Sequence, residues 1–250
     1  MTWLLDLDGV VWLADQPIPG SAEAVARLRA SGERVVLATN NSSMAVADYL
    51  AKLDRLGVPT APEDLITSAQ AAGALIRPGE RVFVCGGAGV NEAVEARGGV
   101  VVAEGPADAV MVGWTRAFDY QMLTVAMRTV RAGARLIGTN DDATYPMPDG
   151  VLPGGGSILA AVAKASGVEP VVAGKPYQPM ADAIGERFGP IDVVVGDRPN
   201  TDGLLARRLG ARFALVLTGV VGRDDLPVEP EPDLIADDLA SLVAGGANSC

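Results

Sequence analysis

The run LLDLDGVVW at residues 4–12 sets two aspartates one residue apart and turns at once on a glycine. In an extended strand residues i and i+2 point the same way, so Asp6 and Asp8 start close together on one face. Two like charges held so close are costly unless a cation or a proton intervenes. A second acidic exit, VVVGDRPNTD at 193–202, follows an equally apolar run and adds Asp197 and Asp202. Taken alone, Asp-Gly is a common turn dipeptide and would read as a surface bend. Four carboxylates on neighbouring strand ends repel strongly without a cation, and the chain has no histidine and only two cysteines. Hard oxygen donors therefore point to Mg²⁺. The lack of histidine also excludes the common zinc sites and Ser-His-Asp triads.

Two further strand exits carry polar groups. RVVLAT (34–39) runs into Asn40, Asn41, Ser42 and Ser43, and VVA (171–173) runs into Gly-Lys-Pro with Lys175. The asparagine–serine cluster reads either as an ordinary helix N-cap or as a phosphate site made of free N–H groups and a hydroxyl. Lys175 is either a surface lysine or a group that neutralises both phosphate and carboxylate. In open α/β sheets ligands bind outside the carboxyl ends of the strands, which is where these residues fall.

The elements that must position them alternate along the chain. Apolar runs WLLDL (3–7), RVVLAT (34–39), RVFVCG (81–86), AVMVGW (109–114), ARLIGT (134–139), DVVVGD (192–197) and FALVLT (213–218) read as strands. Amphipathic stretches at 21–32, 44–57, 120–133 and 158–167 separate them, several ending in glycine as helix C-caps do. That alternation means α/β with parallel sheets. Of the 250 residues 49 % are hydrophobic but only 4 % aromatic, which suits a buried parallel sheet built from Val, Leu, Ile and Ala. The net charge of −11 argues against a nucleic-acid partner. The N-terminus has no basic n-region and no apolar segment approaches membrane-spanning length, so neither a signal peptide nor a membrane contact is expected. Cys85 and Cys250 make no disulfide framework, and the chain reads as cytoplasmic.

At this point DLDGV (6–10), TNN (39–41), GKP (174–176) and GDRPNTD (196–202) resemble the four ordered motifs of haloacid-dehalogenase-superfamily phosphotransferases. The segment 139–167 resembles the large α/β cap of class IIA members, the p-nitrophenylphosphatase-like phosphatases, and the likeness covers nearly the whole chain. The resemblance implies a Rossmann-like doubly wound parallel-sheet core of residues 1–67 and 172–250, with 68–171 inserted as an α/β cap that selects substrate. It implies Asp6 as nucleophile forming an aspartyl-phosphate and Asp8 as the acid, then base, whose proton affinity is raised by a crowding carboxylate. Mg²⁺ would be held by Asp6, the backbone carbonyl of Asp8 and Asp197, with Asp202 ordering the metal's surroundings or Lys175. Thr39, Asn40, Asn41 and Lys175 would bind the phosphoryl oxygens, and Asn140 and Asp141 of the cap loop 139–155 would meet the leaving group. The expected substrate is a small phosphorylated metabolite: glycerol phosphate, phosphoglycolate, a sugar phosphate or a nucleotide monophosphate. Pairing of family members through the cap suggests a homodimer and leaves the oligomeric state open.

Rival readings are a phosphomutase or phosphotransferase sharing the aspartyl-phosphate, and a phospho-accepting signalling domain. In the latter the accepting aspartate lies on a middle strand, and a single such domain leaves about half of this length unexplained. CGGAGVNEAV (85–94) lacks the third glycine of a dinucleotide fingerprint and reads as a strand-to-helix turn inside the cap. GVLPGGGS (150–157) lacks the lysine of a P-loop, and Ser157 reads as a helix cap. Cys85 reads as packing, while Trp12, Trp114 and Tyr145 could line the cleft or fill core.

Overall fold

The computed structural model describes residues 1–147 and 150–245. Cys250, Pro148 and Asp149 lie outside them. Six apolar runs pair in parallel into one sheet, in the order Leu234–Ala236, Arg212–Val216, Val193–Gly196, Thr2–Leu5, Arg34–Thr39 and Leu65–Thr67. Alternate residues feed opposite faces: Leu4, Val36, Val194 and Leu215 pack on one side, and Leu5, Val35, Leu37, Val193 and Val195 on the other. Both faces are covered, which is why these strands are apolar throughout rather than alternating with polar residues.

A second parallel sheet is built from the inserted segment, in the order Val171–Val172, Arg135–Gly138, Ala109–Val112, Arg81–Cys85 and Val100–Val102. An antiparallel hairpin, Thr144–Met147 with Gly150–Pro153, projects from it. The fold is thus a Rossmann-like α/β core with an inserted α/β unit. The inserted sheet ends one residue later than the sequence division at 171/172, because Val172 pairs with Gly138. Cys85 is a buried thiol in that sheet, unpaired among the described residues, its pKa pushed up to about 12 by burial.

The amphipathic stretches form helices Ser21–Ala30, Val46–Arg55, Tyr120–Arg131 and Gly155–Ser166. The last ends on Gly167 in the left-handed conformation (φ 75°). The first strand stops at Leu5; the Asp6 amide still donates to the Val195 carbonyl at 2.9 Å, and Leu7 lies beyond the ladder. Ser157 is not a cap: Gly154 holds the N-cap position without a side-chain bond, and the Ser157 hydroxyl donates to the Ala143 carbonyl. Nor do Ser42 and Ser43 cap the following helix, whose N-cap is Ala45.

The glycines of the two discarded motifs mark close approaches. A Cβ on Gly87 would lie 2.3 Å from the Ser43 carbonyl oxygen, and one on Gly89 would lie 2.1 Å from that of Met44. The helix Ala88–Ala96 therefore seats its first turn directly on the core loop after Arg34–Thr39, and Glu92 accepts from the Val46 amide at 2.8 Å. Likewise Gly154 and Gly156 press on the backbone of Asp142 and Asp141. Among the described residues, no helix is long and apolar enough to cross a membrane.

Candidate active site

The carboxyl ends of three neighbouring core strands, Thr2–Leu5, Arg34–Thr39 and Val193–Gly196, open on one cleft at the join with the inserted segment. Its lining includes Asp6, Asp8, Thr39, Asn40, Asn41 and Lys175 from the core and Trp114, Asn140, Asp142 and Tyr145 from the insertion. Space open to water inside it is about 40 Å³, room for a few water-sized atoms at roughly 10–15 Å³ each.

One oxygen from each of Asp6, Asp197 and Asp202 lies within 4.8 Å of the others, all three residues buried. Lys175, 2 % exposed, donates from Nζ to Asp6 Oδ1 at 2.8 Å and to Asp202 Oδ1 at 2.7 Å. One ammonium thus stands against three carboxylates. Burial pushes Asp6 well up, Lys175 offsets part of that, and Asp202 and Asp197 add to it. Burial and then Asp202 raise Asp197 to about 7, against the Val220 amide donating to its Oδ2 at 2.6 Å. Burial alone would lower the Lys175 ammonium, but Asp202 and Asp6 outweigh it and hold its pKa up.

Among the described residues, the buried Asp197 Oδ1 has no hydrogen-bond partner. A buried carboxylate oxygen left bare is costly unless something binds it. Backbone closes around it: a Cβ on Gly219 would lie 1.9 Å from Asp197 Oδ2, and one on Gly9, at φ +86°, 2.5 Å from the same carboxylate. A Cβ on Gly196 would meet Asp202 Cγ at 2.1 Å. Three glycines therefore admit the acids where side chains could not stand. A bare buried oxygen, hard donors and excess negative charge fit a small divalent cation.

Asp8 does not join this cluster. The turn at Gly9 brings the Gly9 amide onto the Trp12 carbonyl, and Asp8 turns toward aromatic donors. Trp12 Nε1 and Tyr145 Oη both donate to Asp8 Oδ1, at 3.0 and 3.1 Å, while Thr39 Oγ1 stands 3.5 Å from Oδ2. Its pKa is raised, as expected, but by burial; Trp12, Lys52, Tyr145 and Lys175 pull it back. The crowding carboxylate inferred from sequence is not among the causes. The indole of Trp114 packs on Tyr145 with ring centroids 5.1 Å apart, and both line the cleft; Trp12 is core, on the wall of a neighbouring recess.

The asparagine–serine loop is spent largely on holding the two units together. Asn40 Nδ2 donates to Asp142 Oδ2 and to the Lys175 carbonyl, and Asn40 Oδ1 accepts from the Lys175 amide. With both donors engaged, the Asn40 amide offers a phosphoryl group nothing, and any contact runs through its backbone. Asn41 Oδ1 takes the amide and hydroxyl of Ser43. Ser42 Oγ accepts from Trp114 N and from Thr139 Oγ1.

Asn140 is buried and ties the Asn40 carbonyl through its Nδ2 at 2.6 Å. Its Oδ1 accepts from Asp142 N, a local turn that sends successive side chains opposite ways. Asp141 is therefore corrected: it is exposed, bonds to the Tyr177 hydroxyl on the outer side and does not line the cleft. Asp142 lines it instead, beside Arg198, which donates to the Thr144 carbonyl at 3.2 Å. Arg198 and Lys52 escaped the sequence reading; Arg198 sits inside GDRPNTD, the signal that could have found it.

Residues 3–99 match the model of the haloacid dehalogenase-like hydrolases, and 172–242 match a second model of HAD-hydrolase-like proteins. The chain is 37 % identical to D-glycerol 3-phosphate phosphatase of Mycobacterium tuberculosis, over 96 % of this chain and 70 % of that protein. It is 33 % identical to glycerol-3-phosphate phosphatase of Gallus gallus, over 97 % and 90 %. The p-nitrophenyl phosphatase from Archaeoglobus fulgidus superposes with a TM-score of 0.89 at 30 % identity, covering 98 % of each chain. The mycobacterial glycerol phosphate phosphatase, solved in complex with magnesium, superposes at 0.87 with 35 % identity, over 96 % of this chain and 75 % of that one. Likeness of this extent, with the acids and lysine gathered at one cleft, places the chain among the haloacid dehalogenase-like hydrolases, in their class IIA phosphatase branch.

Proposed function

We propose that this chain is a Mg²⁺-dependent phosphatase of a small phosphorylated metabolite, working through an aspartyl-phosphate on Asp6. The observation that carries the reading is the bare, buried Asp197 Oδ1 beside Asp6 and Lys175. Asp6, Asp197 and the Asp8 carbonyl would hold the cation, with Asp202 fixing Lys175. Bound there, Mg²⁺ supplies charge stabilisation for the phosphoryl oxygens.

The chain's own residues do the rest. Lys175 fixes Asp6 Oδ1, leaving Asp6 Oδ2 to attack phosphorus. Asp8 lies on the aromatic side of the cleft, apart from the carboxylate cluster, and there gives a proton to the departing oxygen and takes one from the incoming water. The cleft takes little more than a phosphoryl group. The leaving group extends past Asn41, Trp114 and Tyr145, which also line a wider recess of about 310 Å³ with Trp12, Lys52 and Arg116. The insertion, 68–172, is the specificity domain, and glycerol phosphate is the first candidate among the substrates named above, given the relatives. A cytoplasmic location and a dimer formed through the insertion complete the proposal.

The test is phosphate release from p-nitrophenyl phosphate, glycerol 3-phosphate and sugar phosphates, with Mg²⁺ and with EDTA. Asp6→Asn is expected to lose at least about 10³-fold in turnover while staying folded. Near-wild-type release from Asp6→Asn, or release indifferent to EDTA, would overturn the reading.

A further inference from the structure

We propose that Lys52, buried behind the reacting groups, is a positioning residue for Asp8 and acts through the indole of Trp12. The assignment rests on the phosphatase reading above. Lys52 lies on the inward face of the helix Val46–Arg55 between Tyr49 and Leu53, only 7 % exposed. Burying an ammonium is costly, and a leucine or methionine would fill the same space without that cost. Its ion pair does not account for it, and its charge also reaches Asp8 directly, holding that carboxyl's pKa back. Asp15 Oδ1 is 3.4 Å from Nζ, but the Asp15 side chain is 87 % exposed, and such pairs contribute little.

What the ammonium faces is the Trp12 ring, with Nζ 4.2 Å from the centroid, well inside the roughly 6 Å reach of a cation–π contact. The same indole donates from Nε1 to Asp8 Oδ1. A cation on the ring face draws electron density from the indole, sharpens Nε1–H as a donor and pins the ring in plane. The ammonium is itself fixed by the Ala14 carbonyl at 2.6 Å. Ala14 makes that contact from φ +52°, a left-handed conformation that non-glycine residues seldom adopt. Backbone strain is thus held where Lys52 is anchored.

The consequence is stereochemical. With Trp12 and Tyr145 both donating to Oδ1, the less engaged oxygen, and so the one to carry the proton to the leaving group, is Asp8 Oδ2, which Thr39 Oγ1 meets at 3.5 Å. Lys52 keeps the carboxylate in that attitude.

The experiment compares glycerol 3-phosphate, whose alkoxide needs a proton to leave, with p-nitrophenyl phosphate, whose phenolate does not. Turnover and KM are measured at saturating Mg²⁺ for wild type, Lys52→Met, Lys52→Arg, Trp12→Phe and Lys52→Met/Trp12→Phe. Lys52→Met is expected to lower the ratio of glycerol-phosphate to nitrophenyl-phosphate turnover at saturation about tenfold, beyond any change in KM that the altered wall of the wider recess brings. Lys52→Arg, which keeps the charge, restores most of the ratio. Trp12→Phe lowers it likewise, and the double variant no further than the stronger single one. Equal losses on both substrates, a change in KM alone, additive losses in the double variant, or a loss shared by the Met and Arg variants would overturn the assignment. A wild type inert on every substrate of the panel above would remove the phosphatase reading, and Lys52's role with it; an active wild type, assayed against whichever alkyl phosphate of that panel it turns over, with an unmoved ratio in Lys52→Met sinks only Lys52.

Discussion

The two sides of the cleft hold carboxylates from the same short stretch, yet they are built by different means. On one side Asp6 joins Asp197 and Asp202 under bare backbone, with a single lysine against three acids. On the other Asp8, two residues on, accepts from Trp12, Tyr145 and Thr39, two of them aromatic. The first side is entirely core; the second takes Tyr145 from the inserted hairpin. Sequence spacing puts the two acids on one strand exit, and the environment each is turned into sets its chemistry. Charge left uncompensated suits a cation site, and a carboxylate held by neutral donors suits proton transfer.

Short of removing a carboxylate, the largest effect expected on the first side comes from adding one carbon. Gly219→Ala would drive a Cβ to within 1.9 Å of Asp197 Oδ2. The neighbouring Val220 amide fixes that oxygen, so the carboxylate cannot step aside freely. Mg²⁺ affinity, read by titrating activity or by calorimetry, should fall about 10–100-fold, the scale typical of disturbed ligand surroundings. Unchanged affinity would mean that the glycine cradle does not shape the cation site.

A smaller and more selective effect belongs to the second side. Tyr145→Phe removes one of two donors on Asp8 Oδ1 while leaving the ring on Trp114. Turnover of glycerol 3-phosphate should drop roughly tenfold, about 1.4 kcal/mol in the barrier, with Mg²⁺ affinity unmoved. A drop in Mg²⁺ affinity as large as the drop in turnover would show that the two sides are not separable.

That separation explains what the sequence could reveal. Asp6 and Asp197 were legible because each follows an apolar run, and neighbouring parallel strands must bring their carboxyl ends together. Lys175 and Asp202 were legible from the motifs around them, since Lys175 follows a strand of the second sheet and Asp202 lies five residues past Asp197. The fold class followed from the same alternation. Asp8's partners were not legible: Tyr145 is 137 residues away and reaches Asp8 only because the hairpin folds over the core. Lys52 reads as the solvated residue of an amphipathic helix until Ala14 and Trp12 are seen around it. Asp141 and Asp142 are indistinguishable in a string, and the Asn140 turn alone decides which enters the cleft. The glycines near 87 and 154 looked like nucleotide loops because close backbone approach needs the same residue whether the neighbour is a phosphate or another chain segment.

The smallest expected effect is on stability, and it is read without turnover; Asp8 and Asp142, also raised by burial, add to it, so the Asp197 variant singles out the first side. Asp6 and Asp197 have folded-state pKa values raised above their unfolded values, the latter to about 7. The folded chain therefore binds more protons than the unfolded one between the two values, and stability falls as pH rises through that window. In EDTA, the melting temperature should decline between pH 5 and pH 8, at roughly 2–4 °C for each kcal/mol lost. Mg²⁺ replaces the protons, so saturating Mg²⁺ should flatten the decline and raise the pH 8 value most. Asp197→Asn removes one of the titrating acids and should flatten the EDTA profile while abolishing most of the Mg²⁺ response. A metal-free profile that rises with pH over this range would show that Lys175 already neutralises the cluster, and the argument for a cation drawn from surplus charge would fail with it.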